Sequence, residues 1–519
     1  MRRPLSRRFS TPKTLSQKHK HSSSSYAAAH RPPPAAARAR ATMAKSTDGD
    51  TTVADRVPRS SASEVRSVAE IKDTLGWSRY QWRLFAITGL CIMAESIEVS
   101  LLSFLTSEGK REWGLSSAMA NNIAGAVFVG EIVGCVAFGL FADCHGRKPA
   151  FALGIVIVTA FALVSCFSRN VYELIFARFG VGVGIGGFSV PYDLLCEFCP
   201  NASRGTVMMS LWMFFALGSL LVVQVASVML ESQGWRWLCA YSAIPPALSV
   251  VGLFWVDESP NWLVVKGRRE EAEAILLKAA KMNKVDLGPL ELEHVDSGHL
   301  DVSILFTGSA AATTMCIWIM SFAQCFCYYG IVLFLPHAME VLTGQSLEPP
   351  LLGSSSPAKK YPYWALTVSC SGEVVANVIA LLVINSYPRG KLASFFFFGF
   401  AVTFPLIVSG VVDSVMVASA MLARLCAASA GNITWLATPE AYPTQIRATG
   451  HSWGNLLARL GALCATYWGA RQDTTVVAIG FSTMAIIAST AAYYLPPGVM
   501  PGSNPHELLT KAGERVKIN

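Results

Sequence analysis

Apolar residues in this chain come in long blocks rather than alternating with polar ones. Leu84 to Leu105, Ala118 to Ala142 and Thr206 to Leu230 are three such runs. Each is long enough for a helix to cross a hydrocarbon core, which takes roughly 20 residues. Backbone in lipid must satisfy its own hydrogen bonds, so blocks of this length read as helices and not as barrel strands. Twelve blocks can be drawn, at 82–106, 118–141, 149–167, 171–195, 206–230 and 236–256, then 310–336, 362–384, 392–412, 415–437, 449–470 and 474–496. The polar stretch from Asp257 to Ser309 separates six from six. The pattern predicts an all-α membrane protein with twelve transmembrane helices in two six-helix bundles. Its expected parts are a tail at 1–76, a first bundle at 77–256, a central loop at 257–309, a second bundle at 310–496 and a second tail at 497–519.

Composition agrees with a lipid environment. Of 519 residues, 52% are hydrophobic and only 15% charged, where soluble chains carry about a quarter charged. The basic residues are unevenly placed. Arg147, Lys148, Arg204, Lys266, Arg268, Arg269, Arg389, Lys391 and Arg447 fall in loops on one side. Opposite loops hold Lys110, Arg111, Lys359 and Lys360, partly offset by Glu108, Glu112 and Glu348. The bias predicts cytoplasmic termini and a cytoplasmic central loop. The net charge of +8 is then mostly a topology signal, and no nucleic-acid site is read in it.

The first 76 residues are a separate matter. They hold no Asp or Glu before Asp48 and are rich in Arg, Ser, Ala and Pro. Such a segment cannot bury a core and is expected to be disordered. It reads as a basic cytosolic tail, as sequence upstream of a start at Met43, or as an organellar transit segment, and the target membrane stays open. Most of the 13 cysteines lie inside apolar blocks, where Cys behaves as a small hydrophobe. Cys196 and Cys199 form a C-x-x-C at a helix end without a second pair. Neither a metal site nor a disulfide framework is expected.

The two halves repeat. Glu197-x-x-Pro200-x-x-x-Arg204 recurs as Glu440-x-x-Pro443-x-x-x-Arg447 at an offset of 243. Asp143 and Arg147 recur as Asn385 and Arg389 at 242, and so do the acids Glu131 and Glu373. Parallel repeats with a substrate site at midplane between them are a transporter architecture.

The segment 139–148, G-L-F-A-D-C-H-G-R-K, resembles the signature loop of the major facilitator superfamily, departing from it at Cys144. Residues 178–187, R-F-G-V-G-V-G-I-G-G, resemble the superfamily's fourth-helix motif. E-S-P-N-W-L at 258–263, P-E-A-Y-P-T-Q-I-R-A-T-G at 439–450 and I-M-A-E-S-I-E-V at 92–99 look like the branch of synaptic vesicle glycoprotein-related proteins and organic ion transporters. The resemblance covers residues 77 to 496 and implies the major facilitator fold. Helix 7 reads F-A-Q-C-F-C-Y-Y-G from Phe322 and helix 12 runs into L-P-P-G-V-M. Neither has the sugar-porter signatures, which disfavours a sugar.

Ionisable groups within a bilayer are costly and usually face a cavity or a partner. Glu95 and Glu98 stand three residues apart on one helical face. They are candidates for proton coupling, for pairing with a cationic substrate, or for a structural ion pair with an arginine nearby. Glu131 and Glu373 sit beside Gly130 and Gly372, as functional acids or as packing contacts. Arg178, Arg424 and Arg459 bring in positive charge that needs a carboxylate or an anionic substrate. For Arg178 the resemblance implies proton transfer or helix packing. Tyr328 and Tyr329 are candidate cavity aromatics, since the resemblance places helix 7 at the cavity. Phe326, Trp435 and Trp453 stand near expected cavity positions too. A gate is expected from Asp143, Gly146, Arg147, Lys148, Glu197, Arg204, Glu440 and Arg447, through ion pairs that bridge the halves.

The expectation is secondary active transport of a small organic ion by alternating access, coupled to protons as a symport. The protein would act as a monomer in a lipid bilayer, without a cofactor and without enzymatic activity. An uncoupled facilitator and a non-transporting membrane sensor are the alternatives.

Overall fold

The structure is a computed structural model and describes residues 64–293, 305–306, 308–342, 363–384, 386–409, 413–442, 447–471 and 473–495. The chain divides into two units, Met1–Ser60 and Ser61–Asn519. The first lies outside the described residues, as does the tail at 497–519.

Regular structure is found within the stretch expected to be a tail. A short strand β1 (Glu64–Arg66) and a helix α1 (Val68–Leu75) precede the first span, where the sequence reads as a disordered tail. The reason is local. Ser67 and Glu70 cap each other across the first turn of α1, and Val68, Ile71 and Leu75 fall on one buried face.

The first six spans are α2 (Arg79–Trp113), α3 (Ser117–His145), α4 (Arg147–Cys166), α5 (Val171–Gly186) continued by α6 (Ser189–Phe198), α7 (Arg204–Met229), and α8 (Trp235–Ser242) continued by α9 (Ile244–Gly252). The central segment carries α10 (Pro260–Val265), α11 (Arg269–Asn283) and β2 (Leu290–Leu292), which pairs in parallel with β1. Six more spans follow: α12 (Gly308–Leu342), α13 (Tyr363–Val383), α14 (Arg389–Val408), α15 (Asp413–Ala441), α16 (Arg447–Trp468) and α17 (Thr474–Tyr493).

Eleven described helices are long and apolar enough to cross a membrane; α16 is not among them. Its exception has a sequence cause. Arg447, His451, Asn455 and Arg459 recur every four residues, which lines one helical face with polar groups. That face lowers the apolar character of α16, which nevertheless packs on α12 and α3.

Packing repeats from half to half. Within the first half α2 packs on α7, α3 on α5 and α4 on α5; within the second α12 packs on α16, α13 on α15 and α14 on α15. The halves meet at two pseudo-equivalent seams, α3 against α16 and α7 against α13. In the α3–α5 contact a side chain on Gly134 would strike the Val183 carbonyl and one on Gly182 the Val127 carbonyl. The glycines that resemble a family motif are thus places where two backbones touch.

Candidate functional site

A cavity lies between the halves. Its walls include Glu95 of α2, Trp212 and Phe215 of α7, Gln324, Cys325, Tyr328 and Tyr329 of α12, Glu373 and Asn377 of α13, Asn432 and Trp435 of α15, and Arg459 of α16. Six of the candidates named from sequence, Glu95, Tyr328, Tyr329, Glu373, Trp435 and Arg459, thus share one chamber. Glu131 and Arg424 stand one contact behind it, through Arg459 and Glu373.

Glu95 and Glu98 do not work as a pair. Glu98 accepts from Arg178 Nη1 at 2.7 Å, and Arg178 also donates from Nε to Ser165 Oγ at 3.0 Å. Both charged side chains are fully buried in the first half. Glu95 instead reaches across the seam, accepting from Arg459 Nη2 at 2.8 Å. Arg459 also stands 2.9 Å from Glu131, so one cation serves two carboxylates. On the other seam Glu373 accepts from Arg424 Nε at 2.6 Å, from the Tyr328 hydroxyl at 2.6 Å and from Ser219 of the opposite half at 2.7 Å. The two acids related by the repeat therefore occupy related places, each meeting the opposite half.

Asn377 donates to the Trp212 carbonyl at 3.0 Å and accepts from Asn432 at 2.7 Å. These polar residues were not singled out from sequence. An isolated Asn on an apolar helix carries no periodic signal, and only the fold turns it to the cavity. Of the aromatic candidates, Trp435 lines the chamber, Phe326 packs on Phe481 at 4.7 Å, and Trp453 packs on Trp318 at 6.0 Å away from it.

The family model described as Sugar (and other) transporter matches residues 93–495. The chain belongs to that family. Within the major facilitator superfamily its relatives are the ones the motifs resembled. The organic cation/carnitine transporter 7 of Arabidopsis thaliana is 28% identical over 76% of this chain and 86% of its own length. The synaptic vesicle 2-related protein of Xenopus laevis is 28% identical over 83% of this chain and 80% of its own. A structure of the proton:xylose symporter XylE bound to 6-bromo-6-deoxy-D-glucose superposes with a TM-score of 0.65 at 18% identity, covering 83% of this chain and 99% of that one. Twelve helices in two six-helix bundles are the fold.

At the end of this transporter that carries the signature loop, the ion pairs run within each half. Arg147 pairs with Asp143 at 3.0 Å and approaches Glu197 at 3.7 Å; Arg389 pairs with Glu440 at 3.2 Å. Arg204 donates to Asn201 at 2.9 Å. The expected bridging of the halves by these charges is not found among the described residues; the side chain of Arg447 lies outside them, as do Asn385 and Pro443. Gly146 takes φ +108° between α3 and α4, a conformation that favours glycine. Glu258 then accepts from the backbone N–H of Arg147 at 2.8 Å and of Lys148 at 3.2 Å, capping α4. Its carboxylate and the Trp262 indole, which donates to the Asp143 carbonyl at 3.1 Å, link the signature loop to the E-S-P-N-W-L stretch, which sequence spacing cannot show. Ser259 bonds Glu197 beside it.

What spans the halves here is aromatic. Trp435 meets Trp212 at 5.7 Å, Tyr192 at 5.9 Å and His451 at 5.0 Å. His451 also stands 3.7 Å from Asp193. The cluster runs from Trp212 and Trp435 of the cavity wall to His451 beside Asp193. Nearby and outside the spans, burial pushes the Lys72 ammonium below its usual range, with Arg204 adding to the effect. Burial likewise pushes the Cys199 thiol up to about 12, which keeps it protonated and unreactive.

Proposed function

We propose that this transporter is a secondary active carrier that moves a small organic ion by alternating access, driven by protons. One observation carries the reading. The ion pair of Glu95 with Arg459 lines the cavity and joins the two halves, so tilting the halves and filling the cavity act on the same contact. The mixed acid, arginine and ring lining suits an organic ion, through charge pairing and ring contact. The relative named as an organic cation/carnitine transporter supports that class.

The signature-loop end is the cytoplasmic one on the Lys and Arg bias, so both termini and the central segment face the cytoplasm. The charge clusters at that end stiffen each half as a moving body, and the aromatic plug is the inner barrier. The carrier works as a monomer.

The test is uptake into proteoliposomes of a labelled panel, tetraethylammonium, carnitine and small organic anions, with and without a pH gradient. Several-fold accumulation that collapses with the gradient and is lost in Glu95→Gln supports the proposal. Equilibration indifferent to the gradient would leave a facilitator. Specific binding without movement of any compound would leave a sensor.

A further inference from the structure

The charges at bilayer depth do not cancel. Among the described residues, Glu95, Glu98, Glu131 and Glu373 lie in mid-span and buried, against Arg178, Arg424 and Arg459. Glu98 has Arg178 and Glu373 has Arg424. Glu95 and Glu131 share Arg459. With all seven ionised, the core carries one negative charge in excess, and an uncompensated charge is costly in an apolar interior. A proton or a cation has to hold it.

Hydrogen-bond geometry separates the two acids. Arg459 Nη2 donates to Glu95, and the Nη1 N–H is directed at the Tyr329 hydroxyl at 3.4 Å. Glu131 Oε2 lies 2.9 Å from Nη1 but off its N–H direction, so neither Glu131 oxygen accepts a hydrogen bond. At 0% exposure an ionised Glu131 would depend on Arg459, which Glu95 already engages. Glu131 also stands behind the cavity wall, which Glu95 lines. The groups facing it are Arg459 of α16, Glu95 of α2, Cys325 and Tyr329 of α12 and Cys135 of its own helix. From α5, Gly186 packs against the Glu131 backbone carbonyl, and Arg178 is held by Glu98.

We infer that Glu131 carries the coupling proton and that Arg459 serves either Glu95 or Glu131, so that the carrier exchanges one proton for one singly charged organic cation. This rests on the reading of the chain as a proton-coupled carrier. With Glu131 protonated, Arg459 holds Glu95 and the cavity offers no free carboxylate there. When Glu131 gives its proton to water on the side to which the cavity opens, Arg459 turns to it. Glu95 is then free to hold the cation beside Tyr328 and Trp435. Both forms have a core of zero net charge. Proton and cation compete for a single excess charge and so cross in opposite directions, where the sequence led us to expect symport.

The deciding measurement is the infrared band of a protonated carboxyl in reconstituted wild-type protein near neutral pH. It should vanish in Glu131→Gln and shift without vanishing in Glu131→Asp, which guards against a variant that fails to fold; in Glu95→Asp, which keeps the charge, it should stay in place, and a shift there overturns the assignment. Absence from wild type, or persistence in Glu131→Gln, overturns the assignment. Tetraethylammonium should accumulate several-fold faster with acid on the opposite side; acid on the same side driving its uptake, or uptake of the organic anions alone, overturns the exchange. The two readings fail separately. A band assigned to Glu131 without transport of any compound removes the carrier reading and the exchange with it but keeps the proton on Glu131, and proton-coupled uptake with a band indifferent to Glu131→Gln removes this inference alone.

Discussion

Arg178 and Glu98 show what a single buried charge demands. Each is fully enclosed, and each has its partner within hydrogen-bond reach. Arg178→Ala leaves Glu98 uncompensated, which costs about 3–5 kcal/mol for a pair broken on one side. Thermal melting of the purified protein should fall by several degrees. The double variant Glu98→Gln with Arg178→Gln should recover much of that loss, because removing both charges removes the penalty. Recovery of uptake along with stability would make this pair structural, in contrast to Glu95. The sequence pointed to both residues because charge in an apolar block stands out. It could not say that Glu98 turns to its own half while Glu95, one helical turn away, turns to the other.

At the scale of the element, α16 and the α3–α5 contact illustrate opposite ways of packing a span. His451, Asn455 and Arg459 of α16 form a polar stripe that the structure buries, with His451 toward Asp193 and Arg459 toward Glu95 and Glu131. The α3–α5 contact has glycine where backbones touch, so it tolerates no side chain. Gly182→Leu should destabilise by about 1–3 kcal/mol through overpacking, read as lower yield of monodisperse protein and a lower melting temperature. Replacing Gly139 by Ala, where a Cβ meets nothing, should leave both unchanged. The spacing of glycines along α5 was visible in the sequence; which of them face α3 depended on the rotation of both helices.

For the whole molecule the two seams, α3 with α16 and α7 with α13, are where the halves must part. The barrier proposed toward the signature-loop end is the cluster of Tyr192, Trp212, Trp435 and His451 rather than a set of salt bridges. Cys325 lines the cavity above it and serves as a native reporter. In protein keeping Cys325 as its one cysteine, Trp435→Ala should raise its modification by a bulky polar thiol reagent from the signature-loop side several-fold. An unchanged rate would place the barrier elsewhere.

Much of this was legible in the chain before any coordinates. Twelve spans, two repeated halves and the ionisable residues within the bilayer follow from block length, offset and charge, because lipid forces the backbone into helices and makes each buried charge conspicuous. Pairing was not legible. Whether Glu131 meets a carboxamide, an arginine or another helix depends on how two spans more than 300 residues apart are rotated against each other, and Arg459 lies 328 positions from Glu131 and 364 from Glu95. The order in residues 64–75 was equally hidden, since a helix of eight residues is marginal alone and holds here by docking its apolar face. Local pattern dictates what crosses the membrane; three-dimensional packing chooses which charges neutralise one another, and with that which carboxylate is left to carry a proton.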